Sequence, residues 1–247
     1  MKFKTIQAGA FRSTFEVLKD ILNDVNIYFD KSGMRILTLD TARAALVDIS
    51  MLAENFEEYT CESPIYAGIN ITNMFKLLKT ISNNDILTME IVTAEYIDIL
   101  IENSQKNTNT SFKLKLLDID EDRIQVPVIS MLVITTLPSS DFQRICRDMH
   151  NLATEVFIDR TDNEFTVQCE GDFAKQKTVI QCNDDTFTGS INGTYSLKYL
   201  NLFTKATGMC SILQILQERD SRFMVLKYNI ANLGELKFYL ATKIEDT

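Results

Sequence analysis

Eight basic residues stand in four pairs along the chain: Arg12 with Lys19, Lys76 with Lys79, Arg144 with Arg147, and Lys198 with Lys205. At 100° per residue, spacings of three and seven both return to one face of an α-helix. Paired cations on an exposed helix face attract a phosphate backbone. No interleaved aromatics or base-reading constellation accompanies them, so such contacts would be indifferent to sequence. A single pair has a blander explanation, since charged residues on an exposed helix face are usually solvated surface. The net charge of −9 also argues against a general nucleic-acid binder. Four pairs in an acidic chain point instead to charge segregation, with positive charge on one surface and negative charge elsewhere.

Catalytic and metal chemistry find little support. His150 is the lone histidine and has no partner visible in sequence. There is no phosphate-binding loop, dinucleotide fingerprint, zinc motif or nucleophile elbow, so no enzyme activity is expected. Asp118, Asp120 and Asp122 have the spacing of the first three ligands of a calcium loop. Arg123 stands where that loop needs glycine, and no glutamate follows at the twelfth position. The five cysteines, Cys61, Cys146, Cys169, Cys182 and Cys210, are scattered and read as small buried hydrophobes in a reducing compartment. No metal or cofactor is expected. The absence of an apolar membrane span or secretory leader predicts a soluble intracellular protein.

The basic pairs need helices to carry them, and the chain repeats itself to supply these. Short helices are predicted at Phe11–Leu22, Thr72–Ile81, Phe142–Leu152 and Leu197–Thr207. On the second, Met74, Leu77, Leu78 and Ile81 gather on one side, with Lys76 and Lys79 nearly opposite. On the third, Phe142, Ile145, Cys146 and Met149 oppose Arg144 and Arg147. Matching Lys19-Asp20 with Arg147-Asp148 gives a repeat offset of 128, and matching Lys79 with Lys205 gives 126.

Strands are expected at Val25–Phe29, Met34–Leu39, Ala44–Met51, Ile86–Ile91, Tyr96–Ile101 and Ser111–Leu117. In the second copy they are expected at Glu155–Asp159, Glu164–Cys169, Lys177–Cys182, Ser211–Leu216, Arg222–Ile230 and Glu235–Ala241. The stretch Asp118–Val128 has no clear period and reads as a connector. The expectation is α+β: a domain over 1–117, a connector over 118–130 and a like domain over 131–247, each with two helices on antiparallel sheets.

The segments LKDILND (Leu18–Asp24), FQRICRDM (Phe142–Met149), SLKYLNLFTKAT (Ser196–Thr207) and NIANLGELKFYLATKIED (Asn229–Asp246) carry a resemblance. Over essentially its full length the chain resembles proliferating cell nuclear antigen, the eukaryotic and archaeal sliding clamp. The resemblance implies the DNA-clamp fold, with three chains in a ring around duplex DNA, a polymerase processivity role and an ATP-driven clamp loader. It implies a hole lined by Arg12, Lys19, Lys76, Lys79, Arg144, Arg147, Lys198 and Lys205, with Lys115 joining from a strand. Ser13 stands where a second basic residue is common.

It further implies a pocket for aromatic-rich peptides of partners such as ligases and nucleases, at Leu39, Arg43, Ile124, Val126, Pro127, Phe223, Tyr239 and Ala241. Arg43 and Thr242 fall where histidine and proline are frequent, and Phe223 replaces another frequent proline. Ring closure would pair edge strands near Thr110–Leu116 and Lys175–Cys182. Arg160 occupies a position of regulatory ubiquitin attachment on lysine, so that switch is absent as written. The implied location is the nucleus, or the site of viral DNA replication in a virus. Two alternatives remain open: one subunit of a heterotrimeric clamp of the checkpoint type, or a monomeric processivity factor.

Overall fold

The computed structural model describes residues 1–120, 124, 132–182, 187–218 and 223–243. Two compact units emerge. One comprises Met1–Arg43, Val47–Gln125 and Asn229–Leu236; the other comprises Ala44–Leu46, Val126–Tyr228 and Lys237–Thr247.

The first unit contains β1 (Lys2–Thr5), α1 (Ala8–Leu18), β2 (Asp24–Asp30), β3 (Gly33–Leu39), β4 (Ala45–Leu52), β5 (Glu58–Thr60), β6 (Ile65–Asn70), α2 (Ile71–Leu78), β7 (Ile86–Thr93), β8 (Tyr96–Asn103) and β9 (Thr108–Lys115). One antiparallel sheet runs β5-β1-β7-β8-β9, and β6-β2-β3-β4 are neighbours in another. Strict alternation explains the strands: β2, β8 and the start of β7 bury every second residue. Phe3, Phe11, Phe15 and Phe56 form an aromatic cluster, with ring centroids 4.9–5.6 Å apart. Phe11, Phe15 and Leu18 recur at the helical period, which is why α1 lays that side on the core. Asn70 caps α2, its Oδ1 accepting the Asn73 N–H at 2.9 Å.

The second unit contains β10 (Leu132–Pro138), α3 (Ser139–His150), β11 (Glu155–Thr161), β12 (Glu164–Glu170), β13 (Lys175–Gln181), β14 (Ser190–Ser196), α4 (Leu197–Phe203), a 3₁₀ turn (Thr204–Gly208), β15 (Ile212–Glu218) and the greater part of β16 (Phe223–Ile230) and β17 (Gly234–Ala241). One sheet runs β13-β12-β11-β14, and β10-β15-β16-β17 are neighbours in another. Phe203 stacks on Phe238 at 4.4 Å, and Phe142, Ile145, Cys146 and Met149 are buried.

Element order and strand pairing repeat from one unit to the other, apart from the extra β5. The offset differs from the sequence reading. The first helices of the two units, α1 and α3, start 131 positions apart, at Ala8 and Ser139. The second helices, α2 and α4, start 126 apart, at Ile71 and Leu197. Phe11 therefore corresponds to Phe142, and Lys19 to His150. Matching Lys19-Asp20 with Arg147-Asp148 is one helical turn out of register. The helices also end earlier than expected, and α1, α2 and α3 begin earlier, whereas α4 begins at Leu197 as expected. The chain after Leu18 leaves the helix in a turn, and the residues after Phe203 tighten into the 3₁₀ turn. Leu77 is only half-buried, unlike Met74, Leu78 and Ile81.

Candidate nucleic-acid interface

In each unit the two helices pack on one another, α1 on α2 and α3 on α4. Their buried sides face the core, so their outer sides present the basic pairs. In the first unit Lys76 and Lys79 are exposed. Lys76 Nζ lies 3.4 Å from Asn73 Oδ1. Lys19 is half-buried, 2.9 Å from Asp20 Oδ1 and over the ring of Phe75 at 5.6 Å. Lys115 is exposed on β9.

Arg12 does something else. Its Nη1 donates to the Ile81 carbonyl at 2.8 Å, pinning α1 to the turn that follows α2. A cation there also sits well at the negative end of the α2 dipole. Its counterpart in the second unit is Gln143, whose Nε2 donates to the Thr204 carbonyl at 2.8 Å, just past α4. A neutral residue thus makes a bond of the same kind, one helical turn nearer its partner helix, since Ile81 corresponds to Thr207. The sequence reading missed this duty, and aligning Phe11 with Phe142 is the signal that reveals it.

In the second unit Arg144, Arg147, Lys198 and Lys205 are all exposed. Arg144 lies 3.8 Å from Asp141, and Arg147 lies 3.6 Å from Asp148. Solvated pairs of this kind hold their partners weakly and leave the cation free to exchange. His150 is exposed in the last turn of α3. Taken together the four helices and their ends carry eight cations against Glu16, Asp20, Asp141 and Asp148, in a chain whose net charge is −9.

Some of these cations also serve their own helices. Lys76, Lys79, Arg147 and Lys205 stand at or just beyond helix C-termini, where positive charge is favourable. Lys198 does not fit that explanation. It is the second residue of α4, at the end where the dipole disfavours a cation. Arg144 is mid-helix, where the dipole favours neither sign.

The peptide-pocket residues fall in both units. Leu39 ends β3 half-exposed, and Arg43 is exposed in a turn with φ 57°, its N–H bonded to the Asp40 carbonyl at 2.9 Å. Ile124 is half-exposed. Phe223 and Tyr239 form an aromatic pair at 5.9 Å on neighbouring strands, and Ala241 is exposed. Val126 and Pro127 lie outside the described residues, as does Asp122 of the acidic triplet. Arg160 is a core residue: it is 1% exposed, its Nε donates to Thr135 Oγ1 at 3.1 Å, and it lies over the Phe187 ring at 5.5 Å.

Among the described residues, no group of histidine, cysteine and carboxylate side chains could hold a metal ion, and no helix is long and apolar enough to cross a membrane. Burial pushes the Cys146 thiol well above its ordinary range, which suits an inert core cysteine.

The model of the proliferating cell nuclear antigen N-terminal domain matches residues 1–124, and that of the C-terminal domain matches residues 125–243. The chain belongs to the proliferating cell nuclear antigen family. It is similar to the probable DNA polymerase sliding clamp 1 of Paramecium bursaria Chlorella virus 1, with 37% identity over 252 residues, covering 96% of this chain and 95% of that one. The α+β arrangement of two like units, each with a helix pair and antiparallel sheets, is the proliferating cell nuclear antigen fold.

Proposed function

We propose that this chain is a DNA polymerase sliding clamp, closing with two further copies into a ring around duplex DNA. Family membership makes it a processivity factor rather than an enzyme. The observation that carries the DNA reading is Lys198: an exposed cation in the first turn of its helix, where the dipole disfavours it, on an otherwise acidic chain. A ring is retained by linkage, so each phosphate contact can stay weak, and weak sequence-blind contacts permit sliding. Acidic surfaces elsewhere disfavour adsorption of DNA in the wrong place.

Ring closure would use β9 and β13. Each is an edge of its sheet within the chain, and pairing unlike edges head to tail both closes a ring and hides an aggregation-prone edge. A closed ring needs an ATP-driven loader to reach DNA without ends. Ligase- and nuclease-type partners would dock aromatic-rich peptides against the Phe223–Tyr239 pair and the connector residue Ile124. The working location would be the nucleus, or the site of viral DNA replication if the chain is viral.

The reversal Arg144→Glu with Arg147→Glu tests the lining. With loader and polymerase on a primed template, product length should fall at physiological salt. The dependence of DNA affinity on salt should flatten, by up to about five units of slope for six residues in a three-copy ring. Unchanged processivity and slope would remove these residues from the interface.

A further inference from the structure

The two units end their third C-terminal strand in the same way, and one difference between them points to a role. In the second unit the chain leaving β17 crosses β14, with the Lys243 N–H donating to the Thr194 carbonyl at 2.8 Å. In the first unit the chain leaving β9 crosses β6, with the Leu117 N–H donating to the Gly68 carbonyl at 2.8 Å. Strand register confirms the correspondence. Gly68 faces Asn26 across β6 and β2, and Thr194 faces Phe157 across β14 and β11.

The second unit keeps a glycine one position away, Gly193, whose added Cβ would meet the Thr242 side chain; the first unit places its glycine at the crossing itself and adds a side-chain bond. A Cβ on Gly68 would come within 2.2 Å of the Leu117 carbonyl oxygen and 3.1 Å of the Ile119 Cδ1. Glycine therefore lets the crossing chain sit directly on the strand. Asn26 Nδ2 then donates to the Ile119 carbonyl at 3.0 Å, two residues further along. Phe157, at the matching position, has no side-chain donor. What differs downstream is the chain's destination: Leu117 leads into the connector toward Ile124, whereas Lys243 leads to the C-terminal end.

We infer that Asn26 and Gly68 form a seat for the root of the connector at Leu117–Ile119, the anchor from which its downstream residue Ile124 meets partner peptides. Neither touches the peptide; they are positioning residues. Holding the root in place lowers the ordering cost that peptide binding must meet. The inference rests on the peptide-docking reading given above.

The test uses full-length Asn26→Ala, which removes the bond to Ile119, and Gly68→Thr, which installs the residue of the second unit. Two readouts are trypsin cleavage after Arg123 and the affinity, by calorimetry, for a synthetic peptide with the family's aromatic-rich motif. Tyr239→Ala serves as the control for docking itself.

Cleavage should quicken and the peptide Kd should rise, each at least about fivefold once the bond to the Ile119 carbonyl is lost. The melting midpoint of Asn26→Ala should stay close to that of the parent. If Gly68→Thr fails to fold, Asn26→Ala alone decides. Parental cleavage and affinity in Asn26→Ala would overturn the seat. Faster cleavage with parental affinity, while Tyr239→Ala weakens the peptide, would overturn the positioning role and leave docking intact. Unaltered affinity in Tyr239→Ala would remove the docking reading, and the positioning role would fall with it.

Discussion

Ala231 adopts φ 45° at the tip of the hairpin between β16 and β17, where Leu233 N–H bonds back to the Ile230 carbonyl at 2.8 Å. Its Cβ crowds the following carbonyl in that conformation. Asn107 adopts φ 51° in the β8–β9 turn, but asparagine tolerates the left-handed region. Ala231 is exposed, so its methyl group contributes no core packing. Ala231→Gly should therefore raise stability by up to about 1 kcal/mol, read as a higher denaturant midpoint with an unchanged slope. A lower midpoint would mean that glycine's extra freedom in the unfolded chain outweighs the relieved strain. Lys198 shows the opposite kind of residue-level cost, one kept on the surface. A cation in the first turn of α4 opposes the dipole, and under the proposed DNA reading attraction for phosphate would supply a reason to retain it.

At the scale of elements, the hydrogen bond between each first helix and the turn behind the second is what holds each basic face together. Arg12→Ala should cost about 1 kcal/mol by leaving the Ile81 carbonyl without its donor. Arg12→Gln should recover only part of that loss, because the shorter amide of Gln143 bonds Thr204, one helical turn nearer its partner helix than the position matching Ile81. Arg12→Gln should also weaken DNA binding less than loss of Arg144, since Arg12 is half-buried and already engaged. Thermal melts and salt-dependent affinity check both statements; equal DNA losses for Arg12 and Arg144 would return Arg12 to the interface.

This pair also marks what sequence can and cannot carry. The four helices and their outward cations were legible, because 3.6-residue periodicity is local. The bond from Arg12 to a carbonyl 69 positions away was not, because it exists only once the helices pack. The short β1 and β5 escaped for a related reason: three or four residues hold too little alternation to stand out, and pairing with each other and β7 makes them strands. β10 and β14 were not read as strands in their own right; β14 carries Gly193 and several polar residues and is set by its pairing with β11.

For the whole molecule, the proposed ring closure would depend on backbone groups at the edges of the single chain's sheets. On β13 the Cys182 N–H bonds to Asn163 on the inner side at 2.7 Å. Antiparallel alternation then turns the N–H groups of Ile180 and Thr178 toward β12, and those of Lys177, Val179 and Gln181 outward. On β9 the Leu116 N–H bonds inward to Glu95 at 2.8 Å, so Ser111, Lys113 and Lys115 present theirs outward. Val179→Pro therefore deletes a donor that serves no partner strand within the chain, and proline is tolerated at such an edge position. The folded chain should survive with its circular dichroism unchanged. The parent should scatter light with the mass of three chains, about 85 kDa as three times 28.2 kDa. Val179→Pro should fall toward 28.2 kDa at the same concentration and lose processivity even though every basic residue is intact. A three-chain mass retained by Val179→Pro would show that β13 does not close the ring through its backbone. A parent that stays at the mass of one chain across the concentration series would favour a subunit of a heterotrimeric clamp, its edges awaiting unlike partners.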